Sequence, residues 1–229
     1  MNESSSSNQT IRISVTQLSF TETSLSVRRD PGEALRQTQR LIESELDRLP
    51  RESRGPVACR AGCDFCCHLR VMATPIEVFA LLDDLFRTLS PEAFTRFEER
   101  LIATDQKLRK LKSANVLTVK LPCPALVDGR CTGYAARPLN CRSYHSLSKQ
   151  ACEASFNNPG DLSLDHPQLA AVANVHEGGQ AGFMAAFAHA GYDDRQYELT
   201  TALAEALDDP ESRERFYRKE PAFVRPTIV

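Results

Sequence analysis

The N-terminal segment alternates apolar and polar residues, a pattern typical of extended chain. Residues 1–10 are rich in Ser and Asn, a composition that favours disorder. From Ile11 to Phe20, apolar side chains recur at about every second position, which indicates a strand or an extended arm. We therefore predict a disordered or extended N-terminal arm over residues 1–29.

After this arm the pattern changes to the longer period of amphipathic helices. Asp30 and Pro31 are the residue types of a helix cap and first turn, and Pro50 ends the apolar stripe that follows. Thr74-Pro75-Ile76-Glu77 reads as a capping box, and Ser90-Pro91-Glu92 opens another helix in the same way. These signals predict helices over 31–49, 75–89 and 91 to about 111.

The C-terminal part also has helical patterning. The Ala-rich segment 167–189 predicts a helix with a break at Gly178-Gly179, and two final helices are predicted over 196–207 and 210–217. The fold class is therefore mainly α, with a helical scaffold and two irregular, cysteine-rich loop segments. We predict one domain over 30–220 that carries the cysteine cluster at 55–155, followed by a tail over 221–229.

Composition and charge exclude several classes of function. Hydrophobic residues make up 41% and charged residues 25% of the 229 residues, which suits a soluble globular protein. The net charge of -2 gives no basic field for nucleic acid, and no apolar stretch is long enough to span a membrane. The N-terminus lacks a secretory pattern, so we predict a cytoplasmic protein whose helical surface is available to a protein partner.

The eight cysteines carry the candidate chemistry. Clustered thiols form disulfides, bind metal or carry out redox reactions. A reducing cytoplasm and a chain long enough to build a core both disfavour disulfides, which leaves metal binding as the main prediction. The predicted metal ligands are Cys59, Cys63, Cys66, Cys67, Cys123, Cys131, Cys141 and Cys152.

The spacing of the first group supports this prediction. Separations of two or three residues let thiolates converge on one point, and Gly62 gives the loop freedom to turn. The vicinal residues Cys66 and Cys67 cannot easily face the same atom, so one of them could serve a second metal or a redox step. Two groups of four suit two tetrahedral sites or one polynuclear centre, with zinc or iron, mononuclear or as an iron–sulfur cluster. Nearby arginines would compensate thiolate charge, namely Arg60, Arg70, Arg130, Arg137 and Arg142.

With these residues the chain resembles the YkgJ-type cysteine-cluster family, described as zinc- or iron-chelating CxxCxxCC domains. The matching pieces are Cys59-x3-Cys63-x2-Cys66-Cys67-His68, Val71-x2-Thr74-x2-Glu77 and Cys123-Pro124 through Cys131 to Cys141-Arg142. The resemblance implies metal chelation by the cysteines. A flagellin lysine methylase is similar to this family in its cysteine cluster, which keeps an iron–sulfur enzyme among the alternatives.

Several functions stay open at this point. A closed zinc site would be structural, whereas an iron–sulfur centre could support redox chemistry or group transfer to a protein or small molecule. A thiol redox sensor based on the vicinal pair is a third alternative. His68 and His145 could each replace a thiolate ligand. The first group also fits the short signature of radical S-adenosylmethionine enzymes, but no strand–helix alternation supports their barrel. Whether the protein is an enzyme is undecided.

Overall fold

A computed structural model describes residues 3–28, 30–111 and 118–225, and helices dominate these residues. The α-helices are α1 (Glu3–Thr23), α2 (Pro31–Arg48), α3 (Pro75–Thr88), α4 (Pro91–Arg109), α5 (Leu139–Ser143), α6 (Lys149–Asn157), α7 (Ala170–His189), α8 (Leu199–Asp208) and α9 (Glu211–Tyr217). A π-helical turn over Ser24–Arg28 follows α1. The prediction of a mainly helical fold is confirmed.

Extended structure is confined, within the described residues, to two short antiparallel pairs. Strand β1 (Met72–Ala73) pairs with β4 (Tyr197–Glu198), and β2 (Leu126–Val127) pairs with β3 (Arg130–Cys131). Single 3₁₀ turns cover Arg51–Arg54, Phe65–His68 and Tyr134–Ala136. Two of these turns and the β2–β3 hairpin lie in the cysteine-bearing segments, which are irregular as predicted.

The chain forms two compact units. The first, here called the helical unit, comprises Met1–Val57 and Gln168–Asp194. The second, here called the cysteine unit, comprises Ala58–Pro167 and Arg195–Val229. The single domain predicted over 30–220 stays a prediction, because compactness alone does not show which parts fold independently. No helix of the described residues is both long and apolar enough to cross a membrane.

The prediction of an extended N-terminal arm is wrong for the part that is described, because residues 3–23 form helix α1. Ile13, Gln17 and Thr21 are buried at four-residue spacing, whereas Ile11 and Val15 are more than half exposed. The two-residue pattern came from Ile11 and Val15, which are exposed apolar side chains on either side of the buried Ile13. The apparent alternation therefore arose from a helix that buries one narrow face.

The predicted break at Gly178-Gly179 is also wrong, because α7 runs through both glycines without interruption. A Cβ at Gly178 would lie 2.7 Å from the carbonyl oxygen of Thr10, and one at Gly179 would lie 2.5 Å from Ile42. A Cβ at Gly182 would clash with the backbone of α1. The glycines thus allow α1 and α2 to approach α7 closely within the helical unit.

The predicted helix caps are confirmed. The Asp30 side chain accepts a hydrogen bond of 3.0 Å from the Glu33 amide, and Ser90 accepts one of 3.3 Å from Ala93. Thr74 and Glu77 form both halves of the capping box that starts α3. Because these motifs act within a few residues, the helix starts follow directly from the local sequence.

An aromatic core supports the cysteine unit on the side of α3. The ring of Phe79 packs 5.9 Å from that of Phe216 and 5.6 Å from that of Phe223. Phe223 and Ala222 are buried, although they belong to the segment assigned to a tail; residues 226–229 of that segment lie outside the described residues. The core fixes α3, and α3 in turn positions part of the cysteine cluster.

Candidate metal centre

The first cysteine segment is a sequence of tight turns. The Cys63 amide donates a hydrogen bond of 2.9 Å to the Arg60 carbonyl, across Gly62, whose φ of 86° lies in the left-handed region. The Cys67 amide donates another, also 2.9 Å, to the Asp64 carbonyl. The freedom predicted for Gly62 is therefore used to fold the loop back on itself.

The second segment distributes its cysteines over three structural elements. Cys123 precedes the β2–β3 hairpin, Cys131 ends β3, Cys141 lies in α5 and Cys152 lies in α6. The hairpin turns through Asp128 and Gly129, both with positive φ. Each of these cysteines therefore lies in, or directly before, an element whose backbone is hydrogen-bonded.

Backbone contacts join the two segments. The Cys123 amide donates a hydrogen bond of 2.8 Å to the Cys67 carbonyl. A Cβ at Gly129 would lie 3.4 Å from the Gly62 carbonyl oxygen, so the hairpin tip packs on the first loop. The structure therefore brings together the two groups of cysteines that are separated in sequence by α3 and α4.

A buried ion pair reinforces this junction. Arg70 lies 3.3 Å from the Glu198 carboxylate, with side chains only 3% and 1% exposed. The Arg70 guanidinium also donates to the carbonyls of Leu121 and His68, which flank the two cysteine segments. Burial raises the pKa of Glu198, while hydrogen bonds and the Arg70 charge oppose that effect. Sequence analysis missed Glu198, which is 128 residues from Arg70 and has no recognisable motif.

Glu77 does more than cap its own helix. One carboxylate oxygen accepts hydrogen bonds from the Thr74 amide (2.8 Å) and hydroxyl (2.7 Å), and the other accepts one of 2.7 Å from the Leu139 amide. Burial raises the pKa of Glu77 against these stabilising bonds. Leu139 starts α5, so Glu77 fixes the helix that carries Cys141.

All eight cysteines are free, and their exposure differs. Cys59 is exposed, Cys152 is buried, and the other six are partly buried. A hydrogen bond between the side chains of Cys66 and Cys67, followed by burial, raises the pKa of the Cys66 thiol. The vicinal pair is thus in direct contact, which the sequence left undecided.

Electrostatic interactions show which thiols are neighbours. Burial raises the pKa of Cys63, and the charges of Cys59, Cys66 and Cys152 act in the same direction. Cys152 is therefore a neighbour of the first cysteine segment, although it belongs to the second group in sequence.

A second neighbourhood surrounds Cys141. Burial raises the pKa of Cys141, and the charges of Cys123, Cys131 and Cys66 raise it further. Burial likewise raises the pKa of Cys123 to about 11. Cys66 is the thiol that belongs to both neighbourhoods.

The five arginines near the cysteines have different surroundings. Arg60 and Arg130 are exposed, and Arg142 donates to the backbone carbonyls of Ala135 and Arg137. Arg70 and Arg137 are the two whose positive charge favours thiolate formation at the cluster, Arg70 at Cys123 and Arg137 at Cys66, Cys131 and Cys141.

The two histidines considered as ligands make other contacts. His68 Nδ1 lies 3.1 Å from the Asp64 carbonyl, and its ring packs edge-on at 5.1 Å against Phe156. His145 is buried, with Nδ1 2.9 Å from the Ser143 carbonyl. These contacts orient both rings, and their role as ligands stays a prediction.

The thiols are gathered but do not converge on one point. In the part of the chain that the structure describes, no three His, Cys, Asp or Glu side chains are arranged to hold a metal ion. Protonated thiols have no mutual attraction that would draw four sulfurs together, whereas a metal ion supplies that attraction on binding. The set of eight ligands therefore stays a prediction.

Two buried nitrogens test whether these residues fit a metal bound by thiolates. Arg70 Nε and Arg137 Nε are buried, and neither has a hydrogen-bond partner among the described residues. Both belong to the arginines whose charge favours the thiolate form of neighbouring cysteines. Deprotonated, metal-bound sulfur is negatively charged, so these two guanidinium groups would compensate its charge. The donor set and its cationic surroundings fit a thiolate metal site.

The protein is mainly helical and has a compact cluster of cysteines. The positive charge of two arginines favours the thiolate form within this cluster. Residues 58–158 match the CxxCxxCC family model, whose description reads "Putative zinc- or iron-chelating domain". The resemblance identified from the sequence is confirmed. The family description supports chelation of zinc or iron without distinguishing the two metals. No curated protein and no solved structure matches the chain.

Proposed function

We propose that the cysteine unit binds zinc or iron through thiolates, in the reducing environment of the cytoplasm. The observation that carries this proposal is the gathering of eight free thiols, four of which (Cys66, Cys123, Cys131 and Cys141) lie near the positive charge of Arg70 or Arg137. The family description supports the same metals. When bound, the metal would supply folding free energy to loops that have little regular structure of their own.

The two thiol neighbourhoods favour a joined centre over two independent sites. Cys63 has Cys59, Cys66 and Cys152 as neighbours, and Cys141 has Cys66, Cys123 and Cys131. Cys67 contacts Cys66 and, through its carbonyl, Cys123. Because Cys66 belongs to both, we assign it the role of a ligand shared between metals or within one cluster.

Metal analysis of protein purified without oxygen tests the proposal. Colourless protein with about two zinc ions per chain, given four ligands per closed site, would indicate structural zinc. Iron with acid-labile sulfide and visible absorbance would indicate an iron–sulfur cluster. Folded protein without metal, or with its cysteines paired as disulfides, would disprove metal binding.

The shared role of Cys66 has its own test. In a Cys66→Ser variant, we expect metal to be lost from both neighbourhoods, whereas Cys59→Ser should affect only the first. Full metal content in a folded Cys66→Ser protein would contradict the shared role. Equal losses in the two variants would contradict the division into two neighbourhoods.

An iron–sulfur enzyme is the second candidate, and one observation favours it. A cavity of about 300 Å³ is lined by Cys66 and Cys152, so the cluster is accessible to a small molecule from that side. An open coordination position would be detected by adding cyanide to iron-loaded protein and recording its electron paramagnetic resonance spectrum. An unchanged spectrum would favour a closed, structural centre.

A further inference from the structure

The cavity beside Cys66 and Cys152 has the features of a ligand site. It is bounded by the 3₁₀ turn over Phe65–His68, by α6 and by the loop over 158–166, all within the cysteine unit. Its volume of about 300 Å³ lies at the lower end of the range for small-molecule sites and is many times that of one water molecule.

The walls of the cavity are largely apolar and aromatic. Phe65 and Phe156 lie with ring centroids 5.4 Å apart, and Leu69 and Leu164 extend the apolar surface. Such a lining disfavours ordered water, because water needs several polar partners. It suits a compact hydrophobic group about the size of one aromatic ring with a short chain.

Two polar groups in the lining make the cavity favour a negatively charged ligand. Lys120 Nζ lies 4.1 Å from the Phe156 ring centroid and forms no ion pair with a carboxylate of the described residues. His166 Nδ1 is buried and has no hydrogen-bond partner in the part of the chain that the structure describes, and its ring packs 5.8 Å from that of Tyr144. Asp161, the acidic residue of the lining, accepts hydrogen bonds from Ser163 and is exposed.

We propose that this cavity binds a small organic carboxylate with an aromatic or branched aliphatic body. The body packs against Phe65 and Phe156, and the carboxylate pairs with the Lys120 ammonium at the wall that His166 also lines. A cationic ligand is disfavoured because Lys120 already occupies the face of Phe156. The carboxylate site itself is independent of metal. Its use as a substrate site beside the cluster rests on the proposed function.

Three probes of one shape test the preference for charge. 3-Phenylpropionate, 3-phenylpropanol and 3-phenylpropylamine share one aromatic body and carry negative, neutral and positive charge. Binding to the full chain, loaded with its metal, is measured by isothermal titration calorimetry and by saturation-transfer NMR. We expect the carboxylate to bind at least about tenfold more tightly than the alcohol, and the amine to bind most weakly. Equal binding of all three, or no binding, overturns the proposal.

Matched substitutions locate the site. Lys120→Met should weaken carboxylate binding about tenfold, while Lys120→Arg and the exposed control Lys149→Met should keep it. Ser155→Phe fills the cavity and should abolish binding of every probe, whereas Glu153→Phe on the exposed side of α6 should not. Carboxylate binding that is the same in Lys120→Met and Lys149→Met overturns the role of Lys120, and binding unaffected by Ser155→Phe overturns the site.

Metal content is measured in every variant, so that the two proposals fail separately. Carboxylate binding by a chain that never carries metal would disprove the metal proposal and leave the carboxylate site intact. Full metal content without carboxylate binding would disprove the carboxylate site and leave the metal proposal intact. A Ser155→Phe variant that has lost metal is replaced by Leu164→Phe, which fills the cavity from the loop side, away from the cysteines.

Discussion

The Glu77 carboxylate accepts a hydrogen bond of 2.7 Å from the backbone amide of Leu139, and the two residues are 62 positions apart in sequence. Glu77 is 3% exposed and lies in the first turn of α3, whereas Leu139 starts the short helix that carries Cys141. This carboxylate thus couples the helical scaffold to the second cysteine segment.

Replacing Glu77 should therefore destabilise the fold and reduce metal content together. Glu77→Ala leaves the buried amides of Thr74 and Leu139 without their acceptor, and we expect a loss of about 3 kcal/mol in the free energy of unfolding. Urea denaturation and metal analysis measure the two effects. The control is Glu92→Ala in the first turn of α4, which is exposed and should change stability by less than about 0.5 kcal/mol. Normal metal content in Glu77→Ala would show that Cys141 does not depend on this bond.

Breaking the buried ion pair between Arg70 and Glu198 should lower the free energy of unfolding strongly. Arg70→Met leaves the Glu198 carboxylate buried without its cation, which destabilises a protein by about 3–5 kcal/mol. Arg87→Met, which removes an exposed ion pair with Asp84, should cost less than about 1 kcal/mol. The double variant Arg70→Met/Glu198→Gln should recover part of the loss, because the unpaired charge is gone. Thermal unfolding compares the three proteins, and equal stability of the two single variants would contradict a structural role for the pair.

Adding a methyl group to Gly182 should destabilise the helical unit, although alanine is the better helix former. Helix propensity alone predicts that Gly182→Ala raises the free energy of unfolding by about 1 kcal/mol. The new Cβ, however, would lie 2.7 Å from the Gln17 Cβ and would clash with the Ser14 carbonyl, so packing should outweigh propensity.

The reverse substitution at an exposed position of α7 provides the control. Ala181→Gly should cost about 1 kcal/mol through propensity alone. Chemical denaturation of both variants gives the comparison. A Gly182→Ala protein more stable than the wild type would contradict the close approach of α1 and α7.

Metal loading should release protons at neutral pH. Burial raises the pKa of Cys63, Cys123, Cys131 and Cys141, and the contact with Cys67 raises that of Cys66. These thiols are therefore protonated near pH 7 and must lose their protons to bind metal, so affinity should rise with pH. Calorimetric titration of zinc into metal-free protein, in buffers with different ionisation enthalpies, counts the protons. No proton release would contradict thiolate ligation.

The metal-free protein should lose stability as the pH rises from about 9 to about 11. The Cys123 thiol ionises near its ordinary pKa of 9.0 in the unfolded chain and at about 11 in the folded protein. Between these values the folded state binds more protons than the unfolded state, so increasing pH favours unfolding. In the Cys123→Ser variant, the thermal unfolding temperature should fall less steeply with pH in this range than in the wild type. An identical pH profile would show that Cys123 is not buried as a thiol.

Local motifs made part of the fold predictable. The caps at Asp30, Thr74 and Ser90 involve atoms only three residues apart, so the sequence contains the whole interaction. The N-terminal helix was missed because the exposed apolar residues Ile11 and Val15, together with the buried Ile13, imitate the alternation of a strand. The glycines of α7 were misread because their role depends on close approach to other helices, which no local pattern records.

Prediction of the cysteine cluster had the same limit, because contacts between distant residues leave no local pattern in the sequence. Residue type and short spacing identified the eight thiols as candidate ligands, but the sequence did not show that Cys152 lies near the first cysteine segment. Helix α6 carries this thiol back to the first segment. Glu198, Lys120 and His166 had no sequence signal, because their importance comes from burial and from residues distant in the chain.

The position of Cys152 on α6 determines when the cluster can be completed during synthesis. Ribosomes add roughly 5–20 residues per second, so several seconds separate the synthesis of Cys67 from that of Cys152. During that interval the number of thiols in the nascent chain rises from four to seven, while α6 with Cys152 is still missing. Metal captured then would be held by an incomplete set of ligands and could exchange. With Cys152 among the proposed ligands, stable loading would have to wait until α6 has emerged, and assembly of the proposed centre would be a late step in the maturation of the chain.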